Sequence, residues 1–246
     1  MTKINKKFIS IIVPNLNNYL GLKKTLASLF KQNDQDFEII VIDGGSTDKS
    51  IDLLKKYEKK IDIWISKKDN NLWDAMNKGI RVAKGNIVGI LNSGDIYRKN
   101  ATKIVKKYFI NQPKIDFLFG SVKKKRIYSG FYPEKLILRF NIYPAHSSGF
   151  FIKRRVHKEI GLYDDSLEIC ADYDLFYKLI KNKYIGIATK KQEVTGEFNM
   201  KGLSSRVSRF KKLYYELKIR LKNKQNIFIV AFIFITRIIY GRIKDN

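Results

Sequence analysis

Three apolar runs, each closing on a cluster of small polar residues, constrain this chain more than any other feature. "FISIIVP" (8–14) leads into Asn15-Leu16-Asn17, and "FEIIVID" (37–43) into Gly44-Gly45-Ser46-Thr47-Asp48. "NIVGIL" (86–91) leads into Asn92-Ser93-Gly94-Asp95, and a fourth run, "IDIWIS" (61–66), alternates as a strand. Short, continuous apolar runs are expected of strands buried on both faces. Between them, "NNYLGLKKTLASLFKQ" (17–32) places Leu22, Leu26, Leu29 and Phe30 at helical spacing. "SIDLLKKYEKKI" (50–61) and "LWDAMNKGIRVAK" (72–84) also read as helices, the second with Gly85 as its stop. Strand–helix alternation at this spacing predicts βαβ units and a mostly parallel sheet. Such sheets bind ligands beyond the carboxyl ends of their strands, where the three polar clusters converge.

Further along, residues 147–184 are expected to give a strand, a short helix, a turn and a helix beginning near Ala171, with His157 as a surface residue. The basic run Lys123-Lys124-Lys125-Arg126 reads as a solvated loop or strand edge. In "RVSRFKKLYYELKIRLKNK" (206–224), Val207, Phe210, Leu213, Tyr214, Leu217 and Leu221 share one helical face opposite Lys and Arg. A basic amphipathic helix of this kind suits an anionic membrane surface. The apolar run that follows, "IFIVAFIFI" (227–235), falls short of the roughly 20 residues a spanning helix needs. It is expected to lie in the membrane plane. The alternative is packing on the domain or on a partner subunit, which leaves a homo-oligomer open.

A length of 246 residues allows one sizeable α/β domain with an appendage. The balance of 49 basic against 23 acidic residues gives +26, which attracts an anionic partner: nucleic acid, membrane or phosphorylated substrate. Part of that excess follows from a composition rich in Lys, Ile and Asn. Cys170 is the only cysteine, which excludes an internal disulfide and thiol zinc clusters and points to a reducing compartment. The N-terminal apolar run is too short for a signal peptide. The expected location is therefore cytoplasmic, with peripheral association at the inner face of the plasma membrane.

"SIIVPNLNN", "VIDGGSTDKS", "DNNLWDAMNKGIRVAKGNIVGILNSGD" and "ADYDLFYKL" together resemble the ordered motif set of family 2 glycosyltransferases. The resemblance covers about residues 7–200 and points to bacterial enzymes of the O-antigen, capsule and colanic-acid type. It implies a GT-A fold: α/β, Rossmann-like, with a mostly parallel central sheet flanked by helices. Residues 1–200 would form that domain, 1–95 as the nucleotide-sugar half and 96–200 as the acceptor and catalytic half. Residues 201–246 would be membrane-associating helices.

The resemblance also implies an inverting transfer from a nucleotide-sugar, a UDP-sugar by family frequency, to a lipid-linked oligosaccharide acceptor, with Mn²⁺ or Mg²⁺. Carried over by position, Asp43 would accept a hydrogen bond from the donor's base, its alternative being an Asx turn that opens "DGGS". Pro14, Asn15 and Asn17 match the first-strand loop beside the nucleotide. Asp69, Asp74, Asn77 and Lys78 match polar positions of the third motif, Lys78 as a candidate for the phosphates. "NSGD" matches the family's Asp-x-Asp, with Ser93 at the first acid and Asp95 left as the metal ligand. One carboxylate suffices when the diphosphate supplies further oxygens. Asp172 aligns with the catalytic base, but Ala171 replaces the usual Glu, so Asp174 stays open as the base. His146, Lys201 and Ser204 match the acceptor and diphosphate side.

Two other readings stand beside this one. A nucleic-acid-binding protein is suggested by charge alone, but no nucleic-acid motif occurs, and Asp43, Asp95 and Asp172 would lie where phosphates should bind. A catalytically silent subunit that binds nucleotide-sugar is allowed by Ser93.

Overall fold

The computed structural model describes residues 7–138, 147–198 and 207–245. The first half runs β1 (Ile9–Asn15), α1 (Tyr19–Phe30), β2 (Phe37–Asp43), α2 (Ser50–Lys56), β3 (Ile63–Ser66), α3 (Leu72–Val82) and β4 (Ile87–Ile90). Next come β5 (Ile96–Tyr97), α4 (Ala101–Asn111), β6 (Phe117–Phe119), β7 (Ser121–Lys123) and β8 (Ile127–Tyr128). Then follow β9 (Phe150–Lys153), α5 (Arg154–Ile160), α6 (Ala171–Lys181), β10 (Gly186–Ala188) and β11 (Val194–Glu197). α7 (Arg209–Lys222) and α8 (Ile227–Asp245) end the chain.

Among the described residues the central sheet has the order β10-β6-β9-β4-β1-β2-β3 and a smaller sheet the order β5-β11-β7-β8. In the central sheet only β9 runs antiparallel to its neighbours, β4 and β6. The period-two alternation of β1 and β2 explains the layers. Ile12, Ile40 and Ile42 pack with Ala75, Met76 and Ile80 of α3 and with Phe176 of α6. Ile11, Val13, Ile39 and Val41 pack on the other face with Leu22, Leu26 and Leu29 of α1 and Val105 of α4. The α/β expectation holds, and register carries it to the site. The β1–β2 pairing ends on Asn15 opposite Asp43, and β2–β3 ends on Asp43 opposite Ser66.

Two local expectations change. Gly85 does not stop α3, whose C-cap is Ala83. Gly85 is needed because a Cβ there would lie 2.6 Å from the Ser10 backbone nitrogen, so the chain can pass against β1 only without a side chain. His157 is buried, with Nδ1 3.3 Å from the Gly161 carbonyl, and burial pushes its pKa down to about 4. It is a neutral core residue beside the Tyr163 ring, not a surface one.

The tail makes a contact that the hydrophobic pattern does not reveal. α7 docks on the domain through a polar face: Glu216, Ile219, Arg220 and Asn223 are buried. Phe210, Tyr214 and Leu221, on the face read as suited to a membrane surface, are exposed. Arg220 is satisfied by Glu216 (2.9 Å), by the carbonyls of Leu136 (3.0 Å) and Ile137 (3.1 Å), and by Gln225 (2.7 Å). A buried guanidinium is tolerable only when paired and bonded in this way. Arg237 of α8 reaches Glu216 at 2.5 Å, tying the two tail helices together. No described helix is long and apolar enough to cross a membrane.

Candidate active site

The polar clusters that follow β1, β2 and β4 are bonded into one edge. Asn15 lies between the others, its carbonyl accepting from the Gly44 N–H at 2.9 Å. The Pro14 carbonyl accepts from the Ser93 N–H at 3.2 Å. Asn17, in the left-handed region at φ 46°, accepts from the Thr47 N–H at 2.8 Å, and its own N–H donates to Ser46 Oγ at 2.8 Å. Asn is one of the few non-glycine residues that adopts this conformation readily. Asn18 Nδ2 donates to the Ser93 carbonyl (2.9 Å) and to Ser93 Oγ (3.1 Å).

Asp43 is the node of this edge and is 0% exposed. Its Oδ1 accepts from Asn15 Nδ2 (2.8 Å) and Ser46 Oγ (2.6 Å). Its Oδ2 accepts from the Ser46 N–H (2.8 Å), the Gly45 N–H (3.2 Å) and Ser66 Oγ (2.8 Å). Burial opposes ionisation, but hydrogen bonds from Ser46, Asn15 and Ser66 outweigh it and hold the carboxyl below its usual range. The Asx turn foreseen as the alternative for Asp43 is therefore present. Accepting an imide N–H from a base as well requires Ser46 or Ser66 to rotate its hydroxyl away. Ser46 and Ser66 were not singled out from the sequence, although "DGGS" carries the Asx-turn signal.

The third motif forms a charged group beside this turn. Lys78 Nζ reaches Asp69 Oδ1 at 2.5 Å and Asp74 Oδ2 at 3.0 Å. Asp69 approaches Gly44 so closely that a Cβ on Gly44 would lie 3.0 Å from its Oδ2. Burial, with the charges of Asp74 and Asp43, raises the Asp69 pKa in spite of Lys78. Lys78 is thus bound to two carboxylates. Asp74 also accepts the Asn70 N–H at 3.0 Å. Asn77 is built into the fold: its amide exchanges two hydrogen bonds with the backbone of Tyr163, at 2.8 and 3.0 Å. With Asn71 Nδ2 on the Asp165 carbonyl (2.8 Å) and Trp73 Nε1 on the Glu168 carbonyl (3.4 Å), it fastens the loop that leads to α6. These polar positions of the motif join the two halves of the domain.

That loop ends at Cys170, a non-glycine residue at φ 66°, which caps α6. Asp172 and Asp174 follow in the first turn and have different surroundings. Asp174 is 1% exposed and is held by Lys178 (2.7 Å), Asn223 Nδ2 (2.8 Å) and Lys222 (3.3 Å). Asp172 is half-buried, its Oδ1 accepting from the Tyr173 N–H at 2.9 Å. Its charge acts on Tyr163, whose ring lies 5.5 Å from that of Trp73 at the start of α3.

At the β4 end, Thr25 Oγ1 accepts from the Gly94 N–H (2.9 Å) and donates to the Asp95 carbonyl (2.7 Å), fixing the turn. Asp95 is 3% exposed and faces inward, its charge acting on Tyr97. No cluster of three or more His, Cys, Asp or Glu that could hold a metal occurs among the described residues. The donor set still fits a hard divalent cation, because Asp95, Ser93 Oγ and Asn92 Oδ1, buried and without a hydrogen-bond partner among the described residues, all offer oxygen. His146, Lys201 and Ser204 lie outside the described residues.

Residues 10–165 match the family described as Glycosyl transferase family 2. This chain belongs to that family. It is 27% identical to an uncharacterized glycosyltransferase of Methanocaldococcus jannaschii, over 97% of this chain and 89% of the other. That span takes in the C-terminal helices as well as the domain. A PGL/p-HBAD biosynthesis glycosyltransferase of Mycobacterium bovis is 28% identical over 70% of each chain.

Staphylococcus aureus TarS residues 1–349, in complex with UDP-GlcNAc, superposes with a TM-score of 0.70 at 18% identity, covering 88% of this chain and 66% of that one. The mannosyltransferase PcManGT of Pyrobaculum calidifontis, in complex with GDP-Man and Mn²⁺, gives 0.67 at 15% identity, covering 89% and 64%. This chain spans about two thirds of both of those structures. These likenesses establish the GT-A-like fold, and family membership makes the chain a glycosyltransferase.

Proposed function

We propose that this glycosyltransferase transfers a sugar with inversion from a UDP-sugar to a lipid-linked glycan acceptor in surface polysaccharide synthesis. The observation that carries the chemistry is the contrast on α6. Asp174 is closed off by Lys178, Lys222 and Asn223, whereas Asp172 remains half-buried at the first turn. Asp172 takes the proton of the acceptor hydroxyl as its oxygen attacks the anomeric carbon and the nucleoside diphosphate leaves from the opposite face. The Asn15–Asp43–Ser46 edge seats the nucleoside, with Asn15 Oδ1, buried and unpartnered among the described residues, as an acceptor there. Asp95, Ser93 and Asn92 would hold Mn²⁺ or Mg²⁺, which when bound neutralises charge on the departing diphosphate. The complexes of TarS with UDP-GlcNAc and of PcManGT with GDP-Man and Mn²⁺ support this reading. A panel of sugar nucleotides with Mn²⁺ tests it. One donor should release nucleoside diphosphate, and EDTA or Asp95→Asn should stop release. Turnover indifferent to EDTA would remove the metal from the reading, and no turnover with any donor would favour the silent-subunit alternative.

The tail brings the enzyme to an anionic membrane surface. Phe210 (78% exposed), Phe228 (81%), Ile227 and Phe232 present apolar surface on helices rich in Lys and Arg. The double substitution Phe228→Asp/Phe232→Asp should abolish sedimentation with phosphatidylglycerol vesicles while leaving UDP affinity unchanged. Undiminished sedimentation would place membrane contact elsewhere.

A further inference from the structure

A cavity of about 420 Å³ opens at the edge of the sheet opposite the active site. Phe8 precedes β1, Asn86 precedes β4, and Lys153 ends the antiparallel β9, so all three line it at the amino ends of the parallel strands. β1 alone spans seven residues, about 20 Å at ~3.3 Å per residue, so the cavity is separate from the Asp43 edge. Its polar wall is cationic: Lys153, Arg154, Arg155 and Lys158.

Two of these cations are fixed by backbone carbonyls rather than neutralised. Lys153 Nζ donates to the Pro113 carbonyl at 2.5 Å, and Arg154 Nε donates to the Gly85 carbonyl at 2.9 Å. Neither Nη atom of Arg154 has a partner among the described residues, and Lys158 has no ion pair among them. Arg155 is engaged with Glu159 and Asp116, and Asp116, which also accepts the Ile185 N–H, acts on Lys153 by its charge without bonding it. Burial, and after it the Arg155 guanidinium, push the Lys153 ammonium below its usual range. Here like charges are held together at a cavity mouth, an arrangement that is costly alone and relieved by an anion.

We infer that this cavity binds the phosphate or diphosphate group of a soluble small molecule at a second site, with the organic part resting against Phe8 and Phe109. The volume exceeds that of a bare phosphate and suits a phosphorylated metabolite. Arg154, with Nε pinned, presents its two Nη atoms as a fork for a phosphate, and Lys158 adds a point charge.

Inorganic pyrophosphate is the probe, titrated calorimetrically into the full-length protein with EDTA present and ionic strength held constant with chloride. The expected result is saturable binding of one equivalent, unchanged in Asp43→Asn. Lys158→Gln should weaken it at least threefold and Arg154→Gln at least tenfold. Arg154→Gln loses the bond to Gly85 and is checked for folding by circular dichroism. The exposed Lys158→Gln decides the matter if that variant misfolds. Non-saturable heats or affinity unaffected by Lys158→Gln would overturn the inference. So would absence of pyrophosphate binding coupled to loss of vesicle binding in Lys158→Gln, which would assign the cluster to a membrane surface.

Discussion

Asp172→Asn is expected to lower kcat by about 10²–10⁴, the range a positioned general base contributes, with donor affinity and thermal stability unchanged. Asn keeps the shape of the side chain and can still accept the Tyr173 N–H, but it cannot take a proton. Asp174→Asn should behave in the opposite way. Its carboxylate joins Lys178, Lys222 and Asn223 in a site that is 1% exposed, so removing the charge leaves two ammonium groups beside a neutral amide. Breaking a buried pair of this kind costs about 3–5 kcal/mol. That variant should melt at lower temperature, and whatever remains folded in the cold should keep kcat within about tenfold of the parent, since proton transfer is intact. Single-turnover rates and melting curves on the two variants separate base from brace. Full kcat in Asp172→Asn, or a dead but normally stable Asp174→Asn, would exchange the assignments.

The ambiguity between these two acids shows where sequence reading reaches its limit. β1, β2 and β4 were legible because a strand buried on both faces shows as an unbroken apolar run, and β1 and β2 are buried at every residue. The convergence of their polar clusters followed from parallel topology. The smaller sheet was not legible, since strands of two to four residues such as β5, β8 and β11 are too short to show a period. Nor was the role of Asn77, because an amide that bonds a backbone eighty-six residues away leaves no local signal. The polar contact of α7 with the domain was not legible either. Apolar periodicity points to Phe210, Tyr214 and Leu221, but the domain takes the turn carrying Glu216, Arg220 and Asn223, whose polar atoms are matched by specific partners. Satisfied polar contacts are invisible to a hydrophobic pattern.

Removal of residues 207–246 should therefore do more than detach the enzyme from membranes: it should destabilise the domain and silence it even toward a water-soluble acceptor. Three ties are lost together. Asn223 and Lys222 leave Asp174 buried with Lys178 as its remaining cation, Arg220 leaves the Leu136 and Ile137 carbonyls, and Lys211 leaves Glu168 in the loop before α6. The lost bonds of Asn223 to the Asp174 carboxylate and of Arg220 to the Leu136 and Ile137 carbonyls, each about 1.5–3 kcal/mol, are together a large share of a typical domain's stability. Smaller changes separate the brace from the membrane contact. Asn223→Ala removes a bond to a buried charge, about 1.5–3 kcal/mol, and should depress kcat with UDP affinity retained, whereas Phe228→Asp/Phe232→Asp should leave both unchanged. Acid should loosen the same brace. Burial opposes ionisation of Asp164, but its bonds to Lys222 and Ser166 prevail and hold its pKa at about 2, against 3.8 ordinarily. Its tie to Lys222 is thus fully present above about pH 4 and is lost as the pH falls toward 2. A truncated chain with the parent's melting temperature and turnover would reduce the tail to an anchor. The expected result makes the tail part of the support of the catalytic helix, so whatever moves α7 also moves Asp172.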